Sequence, residues 1–149
     1  MRAVVQSVRN CSVRVDSRLT GATDNGLLVY LGVGRNDTDR DTRFLCDKVL
    51  NLRVFPDEAG KMNLSVLDTR GGIMVVSQFT LYGDAREGRR PSYTEAADPQ
   101  KARAAYEQAL QLFVQSGLAV ASGEFQAKME VSYTNMGPLT ILLDSEKRF

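Results

Sequence analysis

Histidine is absent from all 149 residues of the chain, and that absence removes whole classes of chemistry. A Ser-His-Asp or Cys-His catalytic unit cannot be assembled within it. Cysteine is scarce, with only Cys11 and Cys46 present and no second thiol or imidazole at ligand spacing. Neither a disulfide framework nor a zinc site is expected, and both residues read as small buried hydrophobes. No metal or other cofactor is expected. An excess of one charge is also lacking: 19 basic and 18 acidic residues leave a net charge of +1. Proteins that wrap long duplexes carry strongly cationic surfaces, so any nucleic acid met by this chain should be gripped over a small part only. No apolar run reaches the roughly 18 residues needed to span a bilayer, and no charged segment followed by an apolar stretch and a cleavage site opens the chain. A cytoplasmic protein without membrane contact is expected. The glycosylation triplet Asn63-Leu64-Ser65 would there never meet its machinery.

What is present is enough for one core. With 43% hydrophobic residues, a chain of this length buries about two thirds of its unfolded surface, and a single domain over residues 1–149 is expected. Residues 2–8 and 12–19 alternate β-branched side chains around Asn10, which predicts an opening pair of strands. Asp24-Asn25-Gly26 reads as a turn, followed by a strand over 27–33. Asn36 or Asp37 is positioned to cap a helix over 38–50 with Phe44, Leu45 and Val49 inward. Val54-Phe55 reads as a short strand before the turn-rich stretch 56–61, and 73–78 as an apolar strand. Asp98 and Pro99 begin a second helix, whose stripe Ala102, Ala105, Tyr106, Ala109, Leu110 and Phe113 faces the core until Gly117. Strands at 120–125, 129–135 and 139–144 close the chain. The whole predicts an α+β fold: a curved, mostly antiparallel sheet or partly closed β-barrel with two main helices.

Three segments carry candidate chemistry. Ser77-Gln78-Phe79-Thr80-Leu81 follows a buried strand and offers hydroxyl, amide and backbone N–H groups where the sheet edge reaches the surface. Thr80 is the candidate nucleophile, yet no short-range spacing supplies it with a base. The alternative is a site that points backbone N–H groups at a developing oxyanion and needs no titrating residue. Asn135-Met136-Gly137-Pro138-Leu139-Thr140 sets a Gly-Pro pair between two strands, a plain turn or a rigid wall of main-chain carbonyls. Arg86, Arg89 and Arg90 cluster within 83–98, a stretch too long for an ordinary connection. They suit phosphate contacts beside Tyr93, an aromatic able to stack on a base.

Together these residues resemble the D-aminoacyl-tRNA deacylase family, also called D-Tyr-tRNA deacylases. The resemblance runs from Met1-Arg2-Ala3-Val4 through Gly60-Lys61-Met62-Asn63-Leu64 and Gly88-Arg89-Arg90-Pro91-Ser92 to the last strand, and its two motifs, Ser-Gln-x-Thr-Leu and Asn-x-Gly-Pro-x-Thr, are jointly specific. It implies hydrolysis of the ester between a D-amino acid, or glycine, and the 3′-terminal adenosine of tRNA, as a proofreading step. It also implies a homodimer in which a cis Gly137-Pro138 bond enters the partner's site and faces Ser77, Gln78, Phe79 and Thr80. Phe79 N–H, with Ala97 N–H as a candidate second donor, would hold the ester oxygen. Asn135, Gly137, Pro138 and Thr140 would bind substrate, with Gly137 and Pro138 excluding L side chains. Arg86, Arg89 and Arg90 would meet the tRNA. The adjacent ribose 2′-hydroxyl would assist, which suits a chain without histidine. A covalent esterase using Thr80 and a non-catalytic module binding charged tRNA are the alternatives. Ser7 departs from the pattern, standing where the resemblance implies an arginine that helps to hold the Gly-Pro loop, and Met136 and Gln126 depart from it as well.

Overall fold

Alternating β-branched side chains carry the opening segment into one unbroken strand, β1 (Arg2–Val15), in a computed structural model that describes residues 1–148. Phe149, the last residue of the expected unit, lies outside the described residues. Asn10, expected to separate two strands, sits inside β1 at φ 52°, a left-handed conformation that asparagine tolerates better than most residues. It makes a bulge: three steps along β1, from Arg9 to Ser12, oppose two on the facing strand, from Thr134 to Ser132. The extra residue switches side-chain parity. Val8 before it and Cys11 and Val13 after it consequently share one apolar cluster.

The reversal comes later than expected, at Asp16 and Ser17 with φ 47° and 65°, and β2 (Arg18–Gly32) returns antiparallel to β1. The expected turn at Asp24-Asn25-Gly26 is also strand, because Asn25 pairs with Arg9 and Gly26 with Val8. Long-range pairing overrides the local turn preference here. Gly26 has φ 151° and lies against the backbone of Gly72 where any Cβ would overlap it, so glycine lets the next sheet strand approach.

That strand is β5 (Gly72–Ser77), parallel to β2 from Gly26↔Gly72 to Leu31↔Ser77. Between them come α1 (Asp39–Asn51), a small hairpin of β3 (Phe55–Pro56) and β4 (Met62–Leu64), and α2 (Val66–Thr69). The cap of α1 is Thr38, whose N–H and hydroxyl both donate to Asp41 Oδ2 at 2.9 and 2.7 Å. Asp37, one of the expected caps, is turned inward onto other partners. After β5 come α3 (Pro99–Gln115), β6 (Val120–Ser122) and β7 (Glu130–Asp144). Asp98 caps α3 as expected, accepting from Gln100 N–H at 3.0 Å and Lys101 N–H at 3.1 Å. The two strands expected at 129–135 and 139–144 are one, β7, which continues through Gly137 and Pro138.

The sheet order is β6-β5-β2-β1-β7, antiparallel on the β1 side and parallel around β5. It is curved but does not close into a barrel, leaving β6 and β7 as edges. Helices α1 and α3 cover one face through Leu45, Val49, Tyr106, Ala109 and Phe113. The other face buries Val8, Cys11, Val13, Leu28, Met74 and Val76 beneath Met129, Val131 and Tyr133. Strand β5 is thus buried on both faces, as a parallel inner strand should be.

Cys11 and Cys46 are 1% and 2% exposed, and burial pushes their thiols up to about 11 and about 12. The thiolate is the nucleophile. Iodoacetamide at pH 8 is expected to leave both unmodified in the native protein and to label both in denaturant. Labelling of either in the folded state, read by intact mass, would contradict this packing.

A candidate active site at the end of β5

Strand β5 ends at Ser77, and Phe79–Tyr82 close a 3-10 turn directly after it. The first N–H groups of such a turn have no partner inside it, which leaves those of Phe79 and Thr80 for other acceptors. Ser77, Gln78 and Phe79 line one side of a cavity of about 610 Å³. Its remaining walls come from Ala97 and the first turns of α3, and from the segment Phe125 to Met129. Thr80 is exposed and lies outside that lining, where its hydroxyl accepts a hydrogen bond from Gln78 Nε2. Ala97 N–H donates to Val33 O at 2.9 Å. It is committed to backbone pairing, so Ala97 forms a wall of the cavity, and of the two candidate donors only the N–H of Phe79 remains.

The turn is tied to the sheet from below. Arg2 Nη1 donates to Leu81 O at 2.9 Å, and Arg2 Nε meets Asp144 Oδ2 at 3.2 Å. Its guanidinium lies 4.5 Å from the centre of the Tyr82 ring. Deeper in, Asp37 receives the Met1 ammonium at 2.5 Å and Gly34 N–H at 2.6 Å, and the Tyr82 hydroxyl stands 3.5 Å from the same carboxylate.

The second segment lies elsewhere in the chain. Gly137 and Pro138, joined by a cis bond, are exposed on edge strand β7 and line a different cavity of about 680 Å³ with Ser7, Arg9, Met62 and Thr140. Strands β1 and β2 separate β7 from β5, a gap of roughly 14 Å at the usual strand spacing. Within one chain the two segments therefore do not face each other.

The arginine loop is divided. Arg86 forks onto Asp84, with Nε to Oδ1 at 2.9 Å and Nη2 to Oδ2 at 2.5 Å, and this pairing holds the Asp84 carboxyl well below the usual carboxylate range. Arg89 and Arg90 are exposed and have no ion pair among the described residues. Phe79, 58% exposed, meets Tyr93 edge to face at 5.0 Å, so an aromatic pair stands at the cavity rim.

Sequence reasoning placed Tyr106 only in the core, but it also lines the cavity and donates from its hydroxyl to Val75 O at 3.0 Å. A lone hydroxyl in an otherwise apolar helix stripe was the available signal, since a buried tyrosine oxygen needs a partner. Phe125 and Lys128 were missed as lining residues. Phe125 is held between Tyr106, at 5.7 Å between ring centres, and the Arg103 guanidinium at 4.7 Å, contacts that join residues distant in sequence and carry no local pattern. Among the described residues no group of histidine, cysteine or acidic side chains could hold a metal ion, and no helix is long and apolar enough to cross a membrane.

D-aminoacyl-tRNA deacylases of Thermotoga petrophila and Thermosipho africanus are 56% and 53% identical to this chain over 149 residues, covering all of both partners in each case. A solved structure of a c-Myc DNA unwinding element binding protein, 37% identical, superposes with a TM-score of 0.91 over 97% of this chain and 98% of its own. The structure of a probable eukaryotic D-amino acid tRNA deacylase, at 17% identity and a TM-score of 0.83 over 95% and 97% of the two chains, shares the fold. The family model described as D-Tyr-tRNA(Tyr) deacylase matches residues 4–144, and the chain belongs to that family.

Proposed function

We propose that this protein hydrolyses the ester linking a D-amino acid, or glycine, to the terminal adenosine of tRNA, and that it spares L-aminoacyl-tRNA. The observation that carries this reading is the cavity at the end of β5, lined by Ser77, Gln78 and Phe79 in a member of this family. An aminoacyl ester is already activated, so the site has only to position it and stabilise the oxyanion. Phe79 N–H serves the oxyanion, and the neighbouring 2′-hydroxyl positions water or moves the proton. Thr80, outside the cavity and bonded to Gln78, supports the turn and does not attack.

Stereochemical selection is assigned to Gly137 and Pro138, with Asn135 and Thr140 at their base. Because the two segments line separate cavities within one chain, the complete site requires a second copy whose Gly-Pro loop faces Ser77 to Thr80. The Gly137 carbonyl then stands by the substrate's α-carbon and leaves no room for an L side chain. Rejection of the wrong hand, without contacts to any particular D side chain, lets one pocket accept many amino acids. Arg89 and Arg90, with Arg86 held by Asp84, face tRNA phosphates, and Phe79 and Tyr93 offer a stacking surface for a base. The protein acts where tRNA is charged, in the cytoplasm.

Purified protein incubated with D-Tyr-tRNA, L-Tyr-tRNA and Gly-tRNA is expected to release D-tyrosine and glycine while leaving the L ester intact. No hydrolysis of the D form would leave a charged-tRNA-binding module. A tRNA ending in 2′-deoxyadenosine is expected to be cleaved far more slowly, and a trapped acyl-enzyme on Thr80 would instead favour covalent catalysis.

A further inference from the structure

Strands β1 and β7 pair in register up to Gln6↔Thr140 and resume at Val8↔Asn135. Four residues of β7, Met136 to Leu139, are therefore set against the single residue Ser7. A loop of this size on an edge strand has lost its ladder hydrogen bonds, and its shape depends on what closes its base. Side chains do so here. Gln6 Nε2 donates to Thr140 Oγ1 at 3.0 Å, and Asn135 Nδ2 approaches the same oxygen at 3.4 Å. Asn135 Oδ1 accepts from Leu139 N–H at 3.3 Å, inside the loop. Gln6 is itself fixed from the other side, because the Tyr133 hydroxyl donates to Gln6 Oε1 at 2.8 Å while the Tyr133 ring packs on the apolar cluster of Val8, Cys11 and Met74. Both ends of the Gln6 amide are thus engaged, which fixes its orientation and links the core to the loop.

We propose that Gln6 and Tyr133 are positioning residues that hold the Gly137–Pro138 loop in the shape needed to exclude L substrates, an inference that rests on the selection role assigned above. Ser7, opposite the loop, has too short a side chain to span it. The brace therefore comes from one residue before Ser7 and from the strand that precedes the loop.

Three substitutions separate this from a general packing role. Gln6→Met keeps side-chain length and loses both bonds. Gln6→Glu retains both, since the Thr140 hydroxyl can turn to donate. Tyr133→Phe removes one oxygen and keeps the ring, so the fold survives if the Met variant does not. Amide hydrogen exchange at Met136, Gly137 and Leu139 reports the brace, and the ratio of kcat/KM for D-Tyr-tRNA over L-Tyr-tRNA reports selection. Loss of one or two hydrogen bonds is expected to speed exchange there and lower the ratio by about tenfold in Gln6→Met, and severalfold in Tyr133→Phe. Gln6→Glu is expected to restore both. Unchanged exchange and an unchanged ratio in either folded variant would overturn the proposal, as would equally faster exchange along all of β7. A wild-type protein that hydrolyses neither ester would remove the selection role together with the proposed function, while the exchange data would still decide whether Gln6 and Tyr133 hold the loop.

Discussion

Replacing Phe79 with proline is expected to lower kcat for D-Tyr-tRNA about 10²–10³-fold, the usual cost of removing one oxyanion donor. The substitution removes the N–H together with the ring but breaks no hydrogen bond inside the turn, because the first position of a helical turn makes no intrahelical use of its N–H and suits the fixed φ of proline. Gln78, with φ −142° and ψ 79°, must move its ψ toward the range preferred before proline, a local adjustment. Phe79→Ala keeps the N–H and loses the ring that meets Tyr93, so it should act mainly on KM. Single-turnover rates at saturating enzyme separate the two effects. If alanine and proline slowed the chemical step equally, the ring and not the N–H would be the contributor.

A second large effect is expected on stability. Met1 and Asp37 form an ion pair whose side chains are 0% and 4% exposed. Asp37→Ala would leave the ammonium without its countercharge and Gly34 N–H without its acceptor. Removing one partner of a buried pair costs about 3–5 kcal/mol, which for a chain of this size lowers Tm by on the order of 10 °C. Asp37→Asn, which keeps an oxygen for Gly34 but cannot neutralise the ammonium, should fall between. Thermal melts by circular dichroism decide the matter, and a shift under a few degrees for Asp37→Ala would show that Ser145 Oγ, 2.6 Å from the same ammonium, is a sufficient partner. The Tyr82 hydroxyl stands beside this carboxylate, so the Ala variant should also lose activity below its melting point.

Elements with a strong local signature were readable from sequence. Helix α3 follows from the Asp98 cap, Pro99 and its apolar stripe, and β5 from a run of apolar residues buried on both sides. Turn chemistry misled at Asn10 and at Asp24-Asn25-Gly26, since the same residues that favour reversals also serve inside strands where a bulge or a close backbone approach is needed. The edge of the sheet on which each strand lies is a long-range matter, and with it went the separation of the two motifs into different cavities. Ser77, Gln78 and Phe79 were legible as a candidate because a polar motif follows a buried strand, and the structure places them in the lining of one cavity. The Gly137-Pro138 loop was legible as a motif, but its brace through Gln6 and Tyr133 was not, because those residues lie 127 positions apart. The commitment of Ala97 N–H to Val33 is likewise a tertiary fact.

The bulge at Asn10 bears on how the gene could vary. Every side chain of β1 after Asn10 owes its face to that one extra residue, so a substitution there alters a conformational preference, whereas a one-codon deletion would put Cys11 and Val13 out of phase with Leu28 and Met74. A change of residue type at Asn10 acts on a left-handed conformation at one position, whereas a change of length re-faces the rest of the strand, so the spacing between Val8 and Cys11 matters more to the sheet than the identity of the residue at the bulge.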